Sequence, residues 1–136
     1  MASRHKDWMR QAHRDLGHAR RSLQMGDYEW ACFAAQQGAE KAIKAVYQRW
    51  GGAAWGHSLT LLLEQLPTAS PPSDAVLEAA RRLDKHYIPA RYPNGFEAGA
   101  PLDYYTRAEA EESIRYAETI LRFCEDLLAG PVGGVG

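Results

Sequence analysis

Tyr28-Glu29-Trp30-Ala31-Cys32-Phe33-Ala34-Ala35-Gln36-Gln37-Gly38-Ala39-Glu40-Lys41-Ala42-Ile43-Lys44-Ala45-Val46-Tyr47-Gln48-Arg49-Trp50 is the stretch that decides the fold. It reads as one helix with a narrow polar stripe of Gln37, Glu40, Lys41, Lys44 and Gln48. Most of the rest is Ala, Cys, Phe, Ile, Val or Gly. A helix that is apolar on most sides belongs in the middle of a bundle. Its small residues, Ala31, Ala35, Gly38, Ala42 and Ala45, let another helix approach closely. Gly51-Gly52 ends it.

The flanking sequence supplies the helices that would surround it. Upstream, Trp8, Ala12, Leu16, Ala19 and Leu23 recur every three or four residues, which predicts a helix over 3–25. Gly26-Asp27 is a stop followed by an N-cap. Downstream, Leu59, Leu62, Leu63 and Leu66 place a short helix over 57–66, closed by Pro67. Residues 68–72 form a linker too short to divide domains. A fourth helix starts near Ser73, with Asp74 in its first turn and a stripe of Val76, Ala79, Ala80, Leu83 and Tyr87. The last opens with the capping box Thr106-Arg107-Ala108-Glu109 and runs along Ala110, Ile114, Ala117, Leu121, Cys124 and Leu128. Gly130-Pro131 stops it, and the tail 131–136 is expected to be disordered. No strand pattern or internal repeat is present. The expectation is an all-α, four- to five-helix antiparallel up-and-down bundle, one domain over 1–130.

Composition narrows the function classes. The chain has 136 residues and a formal net charge of −1, so the whole molecule is no strong polyanion binder. The charge is unevenly placed. Residues 1–25 are rich in Arg and Lys, and residues 106–130 in Glu and Asp. The plainer reading makes these neighbouring helices that attract each other; the sharper one makes the first helix a nucleic-acid face. Cys32 and Cys124 lie inside helical patterns without zinc spacing and read as buried thiols in a reducing compartment. His5, His13 and His18 lack the spacing of a helical metal pair, so no metal site is expected, and no cofactor motif appears. No apolar run predicts a membrane span or signal peptide, so the expected location is cytoplasmic, without membrane association.

A second stretch carries the chemistry: Asp84-Lys85-His86-Tyr87-Ile88-Pro89-Ala90-Arg91-Tyr92-Pro93-Asn94-Gly95-Phe96-Glu97. Three cations and three aromatics crowd around two prolines. Proline removes a backbone donor and pushes the preceding residue away from helical angles, so the fourth helix should kink or stop near Ile88. The chain then enters a long irregular connection, a place where function is often found.

These pieces together resemble the HEPN domain (higher eukaryotes and prokaryotes nucleotide-binding domain), in the minimal type that contains an Arg-Tyr-Pro segment. The resemblance rests on Asp27–Ala31, on Ala34–Ala45 with its Gln-Gln-x-x-Glu-Lys-x-x-Lys pattern, on Gly56–Leu59, on Leu83–Pro93, and on Tyr105-Thr106. It implies a helical bundle that commonly forms homodimers, with a groove at or near the dimer interface. It also implies a minimal nucleotidyltransferase as partner, in a toxin–antitoxin-like pair; other members of the family cleave RNA.

The RNA-cleaving members resemble one another in an Arg-x(4–6)-His motif, acting as charge stabiliser and proton-transfer group. Arg91 looks like the motif Arg. The His would fall at 96–98, where this chain has Phe96, Glu97 and Ala98. Arg81 and His86 fit the spacing only formally, within a predicted helix. The reading is therefore weighted away from an enzyme, with no catalytic residue assigned, and RNA ranks behind a mononucleotide as ligand. In that reading Arg91 holds a phosphate and Lys85 adds charge. Tyr92 or Phe96 stacks on the base, with Asn94 beside them. Gln37, Lys41, Lys44 and His57 are candidate groove-lining residues. The plainer readings are a solvated stripe on the second helix, an Arg91 paired with Glu97 or Asp103, and a His57 that only caps or packs at the third helix. The competing functions are a metal-independent ribonuclease toxin with a degenerate site, and a module that binds only protein.

Overall fold

The long apolar helix is central. In the structure, a computed structural model that describes residues 3–52 and 54–134, six helices follow one another: α1 His5–Met25, α2 Tyr28–Trp50, α3 Leu59–Glu64, α4 Asp74–Asp84, α5 Pro101–Tyr104 and α6 Arg107–Ala129. Single 3-10 turns stand at Pro93–Gly95 and Val132–Gly134. No strand occurs among the described residues. α2 packs between α1 and α6 and also touches α3, α4 and α5.

The small side of α2 does what its composition requires. Ala31, Ala35, Ala42 and Ala45 are fully buried. A Cβ added at Gly38 would stand 3.1 Å from the Ala12 carbonyl oxygen of α1. The backbones therefore approach more closely at Gly38 than a side chain permits. The anticipated α1, α3 and α6 stripes supply Leu16, Leu59, Leu62, Leu63 and Leu121 to one continuous core. The oppositely charged helices are neighbours: Arg20 of α1 meets Glu118 of α6 at 2.7 Å, and His13 lies 3.1 Å from Glu125. Such exposed pairs contribute at most about 1 kcal/mol each; they orient a contact that apolar burial drives.

The helix ends follow local chemistry. Gly26 takes a left-handed φ of 82° and closes α1. Asp27 occupies the N-cap position of α2, but its side chain makes no capping hydrogen bond. The Thr106–Glu109 capping box forms in both directions at 3.2 Å.

Two expectations shift. α4 ends at Asp84, short of Tyr87, and residues 85–91 continue as turns. His86 and Arg91 donate their N–H groups three residues back, to Leu83 and Ile88. Pro89 has no N–H to extend an α-helical ladder. Tyr87 thereby leaves the α4 stripe and turns toward α2. The connection read as irregular also contains α5. Pro101 stands in its first turn, and Asp103 accepts the Ala100 N–H at 2.9 Å. Of the tail, Val132–Gly134 form a turn whose Gly133 carbonyl accepts from Ala69 N–H at 3.0 Å. Val135 and Gly136 lie outside the described residues.

Candidate functional site

Part of the polar face of α2 is withdrawn from solvent. Gln36 is fully buried and Glu40 is 5% exposed. Gln36 Nε2 donates to Glu40 Oε1 and to the His57 carbonyl, each at 3.3 Å. Gln37 Nε2 donates to Gln36 Oε1 at 2.7 Å. Lys44 Nζ donates to Glu40 Oε2 at 3.1 Å. His57 Nδ1 lies 3.1 Å from both Glu40 oxygens. Burying a carboxylate is unfavourable unless it is paired and hydrogen-bonded, and Glu40 meets both conditions. The Glu40–Lys44 pairing of the plain reading forms and Gln48 is exposed, but Glu40 is not solvated: because α2 is central, this part of its polar side is roofed by the segment before α3.

That segment is held by Asp84. Its carboxylate accepts Leu59 N–H at 2.7 Å, Thr60 N–H at 3.1 Å and the Thr60 hydroxyl at 2.7 Å. These are the free donors of the α3 N-terminus. A side-chain carboxylate therefore already fills that terminus. Asp84 also ties the end of α4 to the His57 segment.

Tyr87 joins His57 to Arg91. The His57 and Tyr87 rings stack at 4.5 Å with 18° between their planes. The Arg91 guanidinium carbon lies 4.7 Å from the Tyr87 centroid, 4.5 Å from Phe33 and 5.1 Å from Tyr92. Tyr87 thus touches both the His57 imidazole and the Arg91 guanidinium. Arg91 Nε donates to the Tyr87 carbonyl at 2.9 Å. Among the described residues no carboxylate lies within salt-bridge reach of Arg91. The alternative pairing with Glu97 or Asp103 does not form. The guanidinium is held by π faces and keeps its remaining donors free of any acid.

The predicted site residues divide. Arg91 and Tyr92 come together, Tyr87 links them to His57, and Lys44 joins His57 through Glu40. Gln37 stands at the edge through Gln36. Lys41 turns away to pair with Asp15 of α1 at 2.5 Å, in a cleft of about 250 Å³ that Trp30 and Phe33 also line. Asn94 is exposed in its turn. Phe96 stacks on Tyr104 at 4.3 Å and is committed to packing α5. Lys85 lies on another side, lining a pocket of about 230 Å³ with Arg82, His86, Glu109, Glu112, Ser113 and Tyr116.

The formal Arg81/His86 pair does not converge there. His86 enters this second pocket, 3.0 Å from the Tyr105 hydroxyl, whereas Arg81 is exposed and is not among its walls. Burial shapes the titration of this side. It lowers His86, with Glu109 opposing; it pushes the Cys32 thiol up to about 12 and raises Tyr105 above the usual phenol range. Cys124 is fully buried and also raised by burial.

Sequence reasoning missed Phe33, Gln36, Asp84 and Tyr87, and underrated Glu40. A signal was present: Gln36, Glu40 and Lys44 recur every four residues, so three polar side chains stack on one line of an otherwise apolar helix. No helix among the described residues is long and apolar enough to cross a membrane, and no group of three or more His, Cys, Asp or Glu residues there could hold a metal ion.

Comparison with known proteins agrees with the architecture. The model of the HEPN domain matches residues 5–127. "Putative toxin MJ1304" of Methanocaldococcus jannaschii is 27% identical, over 94% of this chain and 90% of its own length. TT1696 from Thermus thermophilus superposes with a TM-score of 0.89 at 49% identity, covering 92% of this chain and 98% of its own. ST0689, an archaeal HEPN homologue, gives 0.78 at 42%, covering 93% and 98%. A HEPN domain protein from Thermotoga maritima gives 0.74 at 42%, covering 92% and 99%.

Proposed function

The chain belongs to the HEPN domain family, and on that premise we propose that it is the nucleotide-binding subunit of a toxin–antitoxin-like pair. It acts as a homodimer with a minimal nucleotidyltransferase partner. The similarity to a protein named as a toxin supports the pairing. The observation that carries the ligand is Arg91: a cation set among Phe33, Tyr87 and Tyr92, without a carboxylate to neutralise it. A guanidinium in that setting is suited to a phosphate, and Tyr92, 48% exposed, offers a face to a base.

The test is thermal stability with ATP, GTP and AMP, for the wild type and Arg91→Ala. Ligand at about 100 times its Kd stabilises the folded state by about 2.7 kcal/mol, a rise of a few degrees. A rise lost in Arg91→Ala supports the site; no rise with any nucleotide removes it.

One observation favours protein contact at the same place. Trp55 is 84% exposed, and Trp30 and Ile88 are about half exposed. Trp55 lies two residues before His57, Ile88 follows Tyr87, and Trp30 meets Phe33 edge-on at 6.2 Å. This apolar rim suits the homodimer contact. Sedimentation of Trp55→Glu reads it: a monomer supports the contact, and an unchanged mass counts against it.

A further inference from the structure

The hydrogen-bond chain on α2 has an open end. The Glu40 carboxylate and the His57 carbonyl can only accept, so Gln36 must turn its amide nitrogen to both. Its Oε1 is then left to accept from Gln37 Nε2 at 2.7 Å. That contact fixes the sense of the Gln37 amide in turn. Gln37 Oε1 has no hydrogen-bond partner among the described residues, and Nε2 keeps a second hydrogen. Because Gln36 is fully buried, this acceptor and donor are oriented before any ligand arrives.

Gln37 lines the cleft of about 250 Å³ between α1 and α2, with Trp30, Phe33, Ala34, Asp15 and Lys41. Apolar walls with a few fixed polar groups are the usual make-up of a small-molecule site. Trp30 and Phe33 meet at 78°, so the two rings form a corner for a flat ring to stack in. Lys41 is already paired with Asp15 at 2.5 Å, so the cleft offers a phosphate no unpaired lysine or arginine. Phe33 also touches the Arg91 guanidinium, which lies 4.5 Å from its centroid. One aromatic ring is thus common to the charge-balanced cleft and to the unneutralised cation.

We propose that this cleft takes the base of the bound nucleotide and that Gln37 selects adenine. The assignment rests on the reading that Arg91 holds the phosphate, and it sharpens that reading. The open face of Tyr92 can stack any base, whereas the cleft can read the edge of one. Adenine presents the N6 amino group beside the N7 acceptor. Gln37 Oε1 accepts from N6 and its free N–H donates to N7, the bidentate pairing of glutamine with adenine. A 6-oxopurine puts an oxygen in place of N6, against Oε1. Gln37 cannot answer by turning its amide over, because its oxygen would then face Gln36 Oε1. Gln37 is the specificity-determining residue here, and Gln36, which acts through it, is a positioning residue.

The test is calorimetric binding of AMP and inosine monophosphate to the full chain, with ribose 5-phosphate as the base-free control. The wild type is expected to bind AMP about 10- to 100-fold more tightly than inosine monophosphate, a ratio that depends on the ligands and needs no variant to fold. Gln37→Leu should bring the ratio close to one and leave ribose 5-phosphate binding unchanged. Tyr92→Ala should preserve the ratio, and Arg91→Ala should weaken all three ligands. Equal wild-type affinity for AMP and inosine monophosphate, or a ratio that survives Gln37→Leu, overturns the assignment of the base. If AMP binding still depends on Arg91 in that case, the phosphate reading stands without it. Binding of none of the three ligands overturns both.

Discussion

Two histidines flank the same turn and live in opposite surroundings. His57 meets a buried, fully paired carboxylate and is itself half exposed. His86, beyond the end of α4, is turned into a pocket beside Tyr105, which packs on the neighbouring apolar cluster of Cys32. Three resolved titration shifts near this turn that burial leads fall on the His86 side: His86, Cys32 and Tyr105. Burial is the leading cause of each, with Glu109, Lys85 and Glu112 acting on His86 as lesser charges. The His57 side is built from hydrogen bonds and cation–π contacts. Perturbed titration and paired geometry therefore mark two different places: the shifts lie on the His86 side, and the proposed site is carried by paired groups.

The comparison is most exposed to Glu40→Ala. It leaves Lys44 and His57 without their shared carboxylate in a largely buried place. Removing one member of such a pair costs about 3–5 kcal/mol, to be measured by urea denaturation. A loss under about 1 kcal/mol would mean that the network is solvated and the contrast between the two sides is wrong.

Asp84→Ala is the next largest. Losing the carboxylate cap of α3 should cost about 1–2 kcal/mol by the same measurement. It should also loosen the His57 ring from Tyr87, seen as a larger spread of the imidazole NMR shifts with temperature. Full stability with an unmoved ring would show that Glu40 alone places His57.

The smallest effect belongs to His86. Burial lowers its folded pKa, so the unfolded chain takes up a proton first as the pH falls. Its contribution is whole above the ordinary histidine value of about 6.5 and is lost as the pH falls through the lowered folded value. Stability between pH 7 and 5 should therefore slope downward toward acid less steeply in His86→Gln than in wild type. If His57→Gln flattens that slope instead, the assignment of the two sides is reversed.

Much of the fold was legible along the chain. α2 is bounded at Tyr28 and Trp50, where its pattern ends. The Thr106–Glu109 box, the leucine row of α3 and the charge match of α1 with α6 all appear as anticipated. Each is a local signal: a period, a cap, or a sign of charge. α5 was passed over because four residues give no period, although Pro101 and Asp103 were its start signals. Arg91 and Tyr92 were selected from sequence and do meet, and His57 is linked to them only through Tyr87. Lys41, Lys85 and Phe96 were selected on equal grounds and face elsewhere.

The sequence by itself determined that α2 is the central helix, because a helix apolar on nearly all sides has no stable place at the surface. It also determined that the helix before Arg91 must stop, because Pro89 cannot donate. Only the tertiary structure decided which polar side chains converge. Gln36, Glu40 and Lys44 could have faced water until the His57 segment roofed them, and Tyr87 could have stayed on the α4 stripe. Glu40 and His57 stand 17 positions apart and share no local signal. Packing alone brings Glu40 to His57 and puts Tyr87 in contact with both that imidazole and Arg91.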